Sequence, residues 1–202
     1  MTTLLLDSNR LTSSLPTEIG YLNVTDAMLL NGNTLTGRLP TQIGMIRKIS
    51  SYFWIHSNQL TGQIPSEIGS WKSFGGSLRL SSNAFSKTLP SALFRLDKGE
   101  GISAFDLGSN SLTGSLPTQV GLLTTLTKSF ILANNDLRGL LPTQLGNIGN
   151  HTTFTRGFEL ENNLFSYLLP SELGSLSGLT STFYLYSNQL CGQIPDEVEQ
   201  LS

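Results

Sequence analysis

The side chains that could carry metal or nucleophilic chemistry are few in this chain of 202 residues. It contains two histidines, His56 and His151, and a single cysteine, Cys191. A zinc site needs three or four such ligands in a spacing such as HExxH or paired CxxC, and neither pattern is present. The sequence therefore predicts no metal site and no cofactor.

Aromatic and charged residues are arranged in a way that suits molecular recognition instead. They recur at every second residue of short segments, or at the matching place in the next segment: Tyr52, Trp54, His56, Arg79, Asp106, Glu159, Glu161, Tyr184 and Tyr186. Residues at i and i+2 of a β-strand point to the same face. Tyrosine, tryptophan and arginine are the residues from which binding hot spots are most often made. The spacing predicts a ligand-binding sheet face; the alternative is that these side chains only fill a face that favours aromatic residues.

A regular repeat sets the positions of these residues. The eight prolines are spaced 24 to 28 residues apart, and an asparagine precedes each of them by seven residues. The asparagines are Asn9, Asn33, Asn58, Asn83, Asn110, Asn135, Asn163 and Asn188. A buried amide side chain has to be hydrogen-bonded. The column therefore predicts a structural ladder of asparagines that bind neighbouring backbone groups.

Apolar residues follow the same frame. An apolar residue stands five and three positions before each asparagine, as Phe105 and Leu107 stand before Asn110. This period of two is typical of a short strand with one buried face. A single coil cannot bury that face alone, so successive coils must stack around a shared core. A Thr or Ser follows seven of the prolines, as Thr17 does, and we expect it to cap a short helix.

The repeat resembles the plant-type leucine-rich repeat, whose consensus is LxxLxLxxNxLTGxIPxxLGxL. The closest copies in this chain are LNGNTLTGRLPTQIGMI, IHSNQLTGQIPSEIGSW and LGSNSLTGSLPTQVGLL. The resemblance implies an α/β solenoid, a right-handed superhelix with a parallel concave β-sheet, a short second sheet from the LTGxIP segments, and short convex helices or 3-10 turns. It also implies similarity to the ectodomains of leucine-rich-repeat receptor-like kinases and to polygalacturonase-inhibiting proteins.

Residues 1–202 are predicted to form one solenoid domain of eight repeats. The chain starts in a strand at Leu4 and stops just after a helical segment, without the polar units that normally cap terminal coils. We therefore expect an array that is uncapped at both ends and a fragment of a longer protein. No apolar run approaches the roughly 18 residues of a membrane span, so no direct membrane insertion is predicted in this segment.

Positions four and two residues before each asparagine point away from the predicted core and onto the concave face. Two groups stand out there. The aromatic–cationic patch, in coils three and four, consists of Tyr52, Trp54, His56 and Arg79, with Asp106 beside it in coil five. The acidic–aromatic patch, in coils seven and eight, consists of Glu159, Glu161, Tyr184 and Tyr186. Neighbouring entries of a column should lie about 4.8 Å apart, which is one strand spacing.

Charge is unevenly distributed along the stack. Residues 1–101 carry nine basic and six acidic side chains, a net charge of +3, whereas residues 102–202 carry three and eight, a net charge of −5. The solenoid is thus expected to favour an extended ligand of complementary polarity. The whole chain has a formal charge of −2, which argues against nucleic acid or an anionic membrane as a general partner.

A catalytic alternative is suggested by three polar residues in one concave column. Ser81, His56 and Asn31 occupy successive coils and resemble a nucleophile, a base and an orienting group. A flat sheet offers no oxyanion hole or pocket, which a hydrolase needs. No enzymatic activity is predicted.

An ice-binding alternative is suggested by a threonine column. Thr12, Thr36, Thr61 and Thr113 recur in the LTG position, and an evenly spaced threonine array can order ice. The column is interrupted by other residues, namely Arg138, Ser166 and Cys191.

Two sequons indicate possible glycosylation. Asn23 and Asn150 begin the tripeptides NVT and NHT on segments between repeats, which are expected to be exposed. The sequence as a whole predicts a non-catalytic module that binds a protein or peptide, extracellular or at the cell surface as part of a longer membrane or secreted protein, with a cytoplasmic location left open. By resemblance the parent is a signalling receptor; the alternatives are a secreted enzyme inhibitor, a structural cell-surface protein and, more remotely, an ice-binding protein.

Overall fold

The computed structural model describes residues 2–97, 101–149, 156–176 and 178–201. Over these residues the chain forms a stack of coils, and eight parallel strands, one from each coil, make a continuous sheet in chain order. The strands of this first sheet are β1 Thr3–Leu5, β3 Ala27–Leu29, β5 Tyr52–Trp54, β7 Ser77–Arg79, β9 Ala104–Asp106, β11 Ser129–Ile131, β13 Gly157–Glu159 and β15 Thr182–Tyr184.

A second parallel sheet runs along the flank of the stack. Within the described ranges it also has eight strands: β2 Thr12–Ser14, β4 Thr34–Arg38, β6 Gln59–Gly62, β8 Ala84–Thr88, β10 Ser111–Gly114, β12 Asp136–Gly139, β14 Leu164–Tyr167 and β16 Gln189–Leu190. These strands coincide with the LTGxIP segments of the repeat. The predicted solenoid with two parallel sheets is confirmed.

Short 3-10 helices cover the convex side. They span Thr17–Tyr21, Thr41–Met45, Ser66–Ser70, Ser91–Leu96, Thr118–Leu122, Thr143–Asn147, Ser171–Ser175 and Val198–Gln200. All but the last begin directly after the proline of their coil, which is extended with φ between −63° and −71°. The expected Thr or Ser cap is wrong, because that residue is the first of the helix and makes no side-chain cap hydrogen bond. Thr17 Oγ1 donates instead to Glu18 Oε2 at 3.1 Å.

One apolar core runs through the whole stack. It contains a column of phenylalanine rings whose neighbouring centroids lie 5.4 to 5.8 Å apart. Its members are Phe94, Phe105, Phe130, Phe158 and Phe183. Since each ring packs against rings from the adjacent coils, the core fixes how neighbouring strands align and which side chains remain on the concave face.

The asparagine of each coil binds the coil before it. Asn110 Nδ2 donates to the carbonyl of Leu80 in the preceding coil (3.2 Å) and of Leu107 in its own (3.1 Å), and Asn110 Oδ1 accepts from the Phe85 amide (3.0 Å). Six others bond in the same way: Asn33, Asn58, Asn83, Asn135, Asn163 and Asn188. Asn9, in the first coil, donates to carbonyls of its own coil.

Two left-handed backbone positions recur in the coils. The residue before each asparagine has φ between +53° and +65°, and it is always Ser, Gly or Asn. The second lies four residues after the asparagine, where most coils have glycine with φ of +75° or more. Ser13 (φ +66°), Lys87 (φ +74°) and Tyr167 (φ +71°) adopt it without being glycine, which costs about 1 kcal/mol each.

Candidate functional site

The concave face is built by side chains that alternate with core residues of the first sheet. In β5, Phe53 is fully buried, whereas Tyr52 and Trp54 point to the other side and stay partly exposed. Register pairs Trp54 with Arg79 of β7, and Arg79 with Asp106 of β9. The elements therefore bring together side chains that are about 25 residues apart in sequence.

The aromatic–cationic patch is a connected cluster. The Arg79 guanidinium carbon lies 4.7 Å from the centroid of the Trp54 ring, within cation–π range. The Trp54 ring centroid is 5.1 Å from that of Tyr52 and 6.2 Å from that of His56. Trp54 Nε1 is buried and has no hydrogen-bond partner. A buried N–H without a partner is uncommon, so the hydrogen-bonding capacity of this donor is unsatisfied within the protein.

Asp106 borders this patch and carries the compensating charge. Its Oδ2 accepts from the Ser81 hydroxyl at 2.8 Å and its Oδ1 from the Gly108 amide at 3.1 Å. Burial lowers the pKa of His56, the positive charge of Arg79 lowers it further, and Asp106 partly opposes both effects. The imidazole is consequently neutral near pH 7.

Ser81, His56 and Asn31 of the catalytic alternative are not joined by hydrogen bonds between their side chains. The Ser81 hydroxyl donates to Asp106 rather than to the imidazole. His56 Nδ1 lies 3.2 Å from Ser57 Oγ, and Asn31 Oδ1 is buried without a partner. The three residues lie on successive strands, but their contacts do not link a nucleophile to a base.

The acidic–aromatic patch lies on β13 and β15 and the residues that follow them. Register pairs Glu159 with Ile131 on one side and Tyr184 on the other. Thr182 Oγ1 donates to Glu159 Oε1 at 3.2 Å, and the Tyr184 and Tyr186 rings pack edge to face with centroids 5.7 Å apart. The patch begins three strand spacings, about 14 Å, from Arg79, so the two patches remain separate.

Glu161 departs from the expected exposed position. Its side chain is only 7% exposed, and its Oε2 atom is buried with no hydrogen-bond partner. Burial raises the pKa of Glu161, the negative charge of Glu159 raises it further, and a hydrogen bond from the residue's own backbone opposes the change. The sequence could not reveal this, because the burial depends on side chains of adjacent coils.

The other candidates are dispersed. The threonines of the LTG column are not paired in register: Thr36 pairs with Ser14 and Gln59, and Thr61 with Arg38 and Ala84. The column is therefore staggered by two residues per coil.

The glycosylation candidates differ in what the structure describes. Asn23 is exposed, whereas Asn150 lies outside the described residues. In the part of the chain that the structure describes, no group of three or more His, Cys, Asp or Glu side chains could hold a metal ion.

The helices of the described residues are three to six residues long. Among the described residues, none is long and apolar enough to cross a membrane.

Solved structures share this fold over the whole chain. The Arabidopsis receptor kinase HAESA, solved in complex with the peptide hormone IDA and the co-receptor SERK1, is 29% identical with a TM-score of 0.85, covering 100% of this chain and 32% of that one. A plant peptide hormone receptor is 27% identical with a TM-score of 0.77, covering 100% and 34%. A plant ice-binding protein is 22% identical with a TM-score of 0.72, covering 96% and 67%, which shows a shared fold alone.

Neither a protein-family model nor a curated protein sequence matches the chain. The chain spans about a third of the length of the receptor ectodomain structures it resembles. Its repeat, its two parallel sheets and its similarity to these ectodomains agree. In its repeat and in its fold the chain resembles the ectodomains of plant leucine-rich-repeat receptor kinases.

Proposed function

We propose that this solenoid is a non-catalytic recognition module whose concave face binds an extended peptide or a segment of a protein. The observation that carries the proposal is the aromatic–cationic patch. Arg79 lies over the Trp54 ring, and the buried Trp54 Nε1–H has no partner in the protein. Such a patch supplies a flat apolar surface together with two hydrogen-bond donors that suit a carbonyl or carboxylate oxygen.

The dimensions of the face suit an extended chain. Eight strands span seven spacings, about 34 Å, and an extended peptide advances about 3.3 Å per residue. Roughly ten residues of ligand would therefore cross the whole face. The two patches lie at different points along this path, so each would contact a different part of the peptide.

The similar solved structures support this direction. Three of them are receptors solved with a peptide hormone or a named factor bound. We accordingly propose that the chain belongs to the extracellular part of a longer receptor-like protein, in which the exposed Asn23 would be available for glycosylation. A secreted inhibitor would use the same concave surface, and what binds there distinguishes the two.

Selection from a library of random linear peptides tests the proposal. The full chain is immobilised, and the dissociation constants of selected peptides are measured for the parent protein and for Trp54→Ala. A matched control is Tyr21→Ala, which removes an exposed aromatic ring from a convex 3-10 helix. We expect Trp54→Ala to weaken binding by at least tenfold and Tyr21→Ala to leave it unchanged. Selected peptides that bind both variants equally would contradict the concave face as the site.

A further inference from the structure

The acidic–aromatic patch contains a carboxylate that the protein itself leaves unsatisfied. Glu161 follows β13 and alternates with Leu160, which is fully buried in the core, so the Glu161 side chain points to the concave side. Its Oε2 atom has no hydrogen-bond partner although the residue is 93% buried, that is 7% exposed. A buried carboxylate is normally paired with a cation or fully hydrogen-bonded.

No neighbouring residue on this face supplies the missing positive charge. The coil before contributes Ile131 and Ala133 beside Glu159 and Glu161, as the ladder bonds Leu132 N to Glu159 O and Asn134 N to Glu161 O indicate. The coil after contributes Tyr184 and Tyr186. None of these four neighbours is cationic. The environment thus consists of two carboxylates, two aromatic rings and an apolar wall.

We propose that the acidic–aromatic patch binds the ammonium or guanidinium group of a lysine or arginine side chain, an inference that rests on the proposed peptide ligand. Two carboxylates offer charge-assisted hydrogen bonds to such a group. The paired tyrosine rings add cation–π attraction and a surface for its aliphatic stem.

Access to the site depends on Tyr186. Glu159 is partly exposed and meets the cation first. Tyr186 lies beside Glu161 in the following coil and its side chain is 57% exposed, so we take rotation of this ring as the route by which the proposed cation would reach Glu161 Oε2. An exposed ring rotates on a nanosecond timescale, so no rearrangement of the backbone is required.

The site also gives the ligand a direction. Arg79 and the Trp54 N–H form the donor-rich end of the face, whereas Glu159 and Glu161 form the acceptor-rich end. A peptide with an acidic or carboxylate group near coils three and four and a basic residue near coils seven and eight satisfies both ends. The opposite orientation places like charges together and is disfavoured.

The experiment uses two small probes and the full chain. Nα-acetyl-lysine N-methylamide and Nα-acetyl-norleucine N-methylamide are titrated separately while the tyrosine ring resonances are followed by NMR. We expect the lysine probe to shift Tyr184 and Tyr186 with a millimolar dissociation constant and the norleucine probe to leave them unchanged. Glu161→Gln should weaken the lysine probe by about tenfold, because it removes one partner of a buried charged pair.

A charge-matched control is available on the convex side. Glu172→Gln makes the same substitution at an exposed position of the Ser171–Ser175 helix, and it should leave binding unchanged. Equal weakening by Glu172→Gln and Glu161→Gln, or equal shifts from both probes, would overturn the inference. Glu161→Gln removes an unfavourable buried charge and is expected to fold, which circular dichroism and cooperative unfolding verify.

The two proposals fail separately. In one outcome, selected peptides bind the parent tightly, bind Trp54→Ala more weakly and bind Glu161→Gln as tightly as the parent. This result would support the proposed function and contradict the cation site. Localised binding of the lysine probe, without any linear peptide that needs Trp54, would retain the cation site and reject the proposed function.

Discussion

The two concave patches use the same positions of the repeat but balance their charges differently. Around coils three and four both signs of charge are present, since Arg79 lies over an indole ring and Asp106 is its register neighbour on the next strand. In coil seven Glu159 and Glu161 lie two residues apart, and burial together with the negative charge of Glu159 raises the pKa of Glu161. The first patch is close to neutral, whereas the second retains a net negative charge.

This difference indicates how a solenoid acquires specificity. The core and the asparagine bonds fix the positions of the concave side chains, so their chemistry can vary at little cost to the fold. A patch that satisfies its own charges contributes mainly contact area and hydrogen-bond donors. A patch that leaves a carboxylate buried and unpaired selects the charge of its partner, at the expense of stability when no partner is bound.

The largest expected effect is on binding through the aromatic–cationic patch. Replacing Trp54 and Arg79 together by alanine should reduce affinity for a selected peptide by about 30-fold, or 2 kcal/mol, because a hot-spot ring and its stacked cation are lost. Replacing Tyr184 by alanine should cost less, since it removes one ring of an aromatic pair and leaves Tyr186 in place. Titration calorimetry on the three proteins measures both values, and a greater loss from Tyr184→Ala would reverse the ranking of the patches.

A smaller effect concerns the free energy of unfolding alone, and it should be the same in coil four and in coil seven. Lys87 in coil four and Tyr167 in coil seven each hold a left-handed backbone at a position where five of the other coils have glycine. Lys87→Gly and Tyr167→Gly should each raise the free energy of unfolding by about 1 kcal/mol, as measured by urea denaturation. The control Ser86→Gly changes a neighbouring strand residue without positive φ and should destabilise. A gain at only one of the two sites would mean that side-chain packing outweighs the backbone term there.

Most of the fold followed from the repeat because its period fixes local geometry. The alternation of Phe105 and Leu107 with Asp106 predicted which side chains enter the core and which face outward, and the structure agrees. The cap prediction failed since proline already sets the start of each 3-10 helix and places the next residue inside it. The left-handed residue before each asparagine could have been found, because only Ser, Gly and Asn occupy that column.

The features that were missed depend on relations between coils. Aligning coils by repeat position assumes that equal positions lie side by side, which holds in the first sheet but not in the second, where Thr36 pairs with Gln59. The burial of Glu161 likewise depends on packing against side chains of adjacent coils. The residue type at one position of the repeat carries no information about that packing. The assignment of the nine concave residues to a ligand remains a prediction.

A third prediction concerns the stability of the acidic–aromatic patch as a function of pH. The pKa of Glu161 is raised above its ordinary value of 4.5. Its contribution to stability is therefore fully present below that ordinary value and is lost as the pH rises through the raised pKa. Glu161→Gln should be more stable than the parent at pH 7, and the difference should vanish near pH 3.5. Urea denaturation at both values measures this, with the exposed Glu172→Gln as the control expected to show no such trend.

The smallest expected effect is the opposite pH response of the aromatic–cationic patch. The pKa of His56 is lowered below its ordinary value of 6.5 by burial and by Arg79, with Asp106 opposing, so its contribution is present above 6.5 and is lost as the pH falls through the lowered value. The parent should lose more stability than His56→Gln between pH 7.5 and pH 5. Arg79→Gln removes the repulsion and should reduce the loss, whereas Asp106→Asn should increase it. If neither substitution changes the slope, burial alone sets the titration of His56, and neither Arg79 nor Asp106 contributes to it.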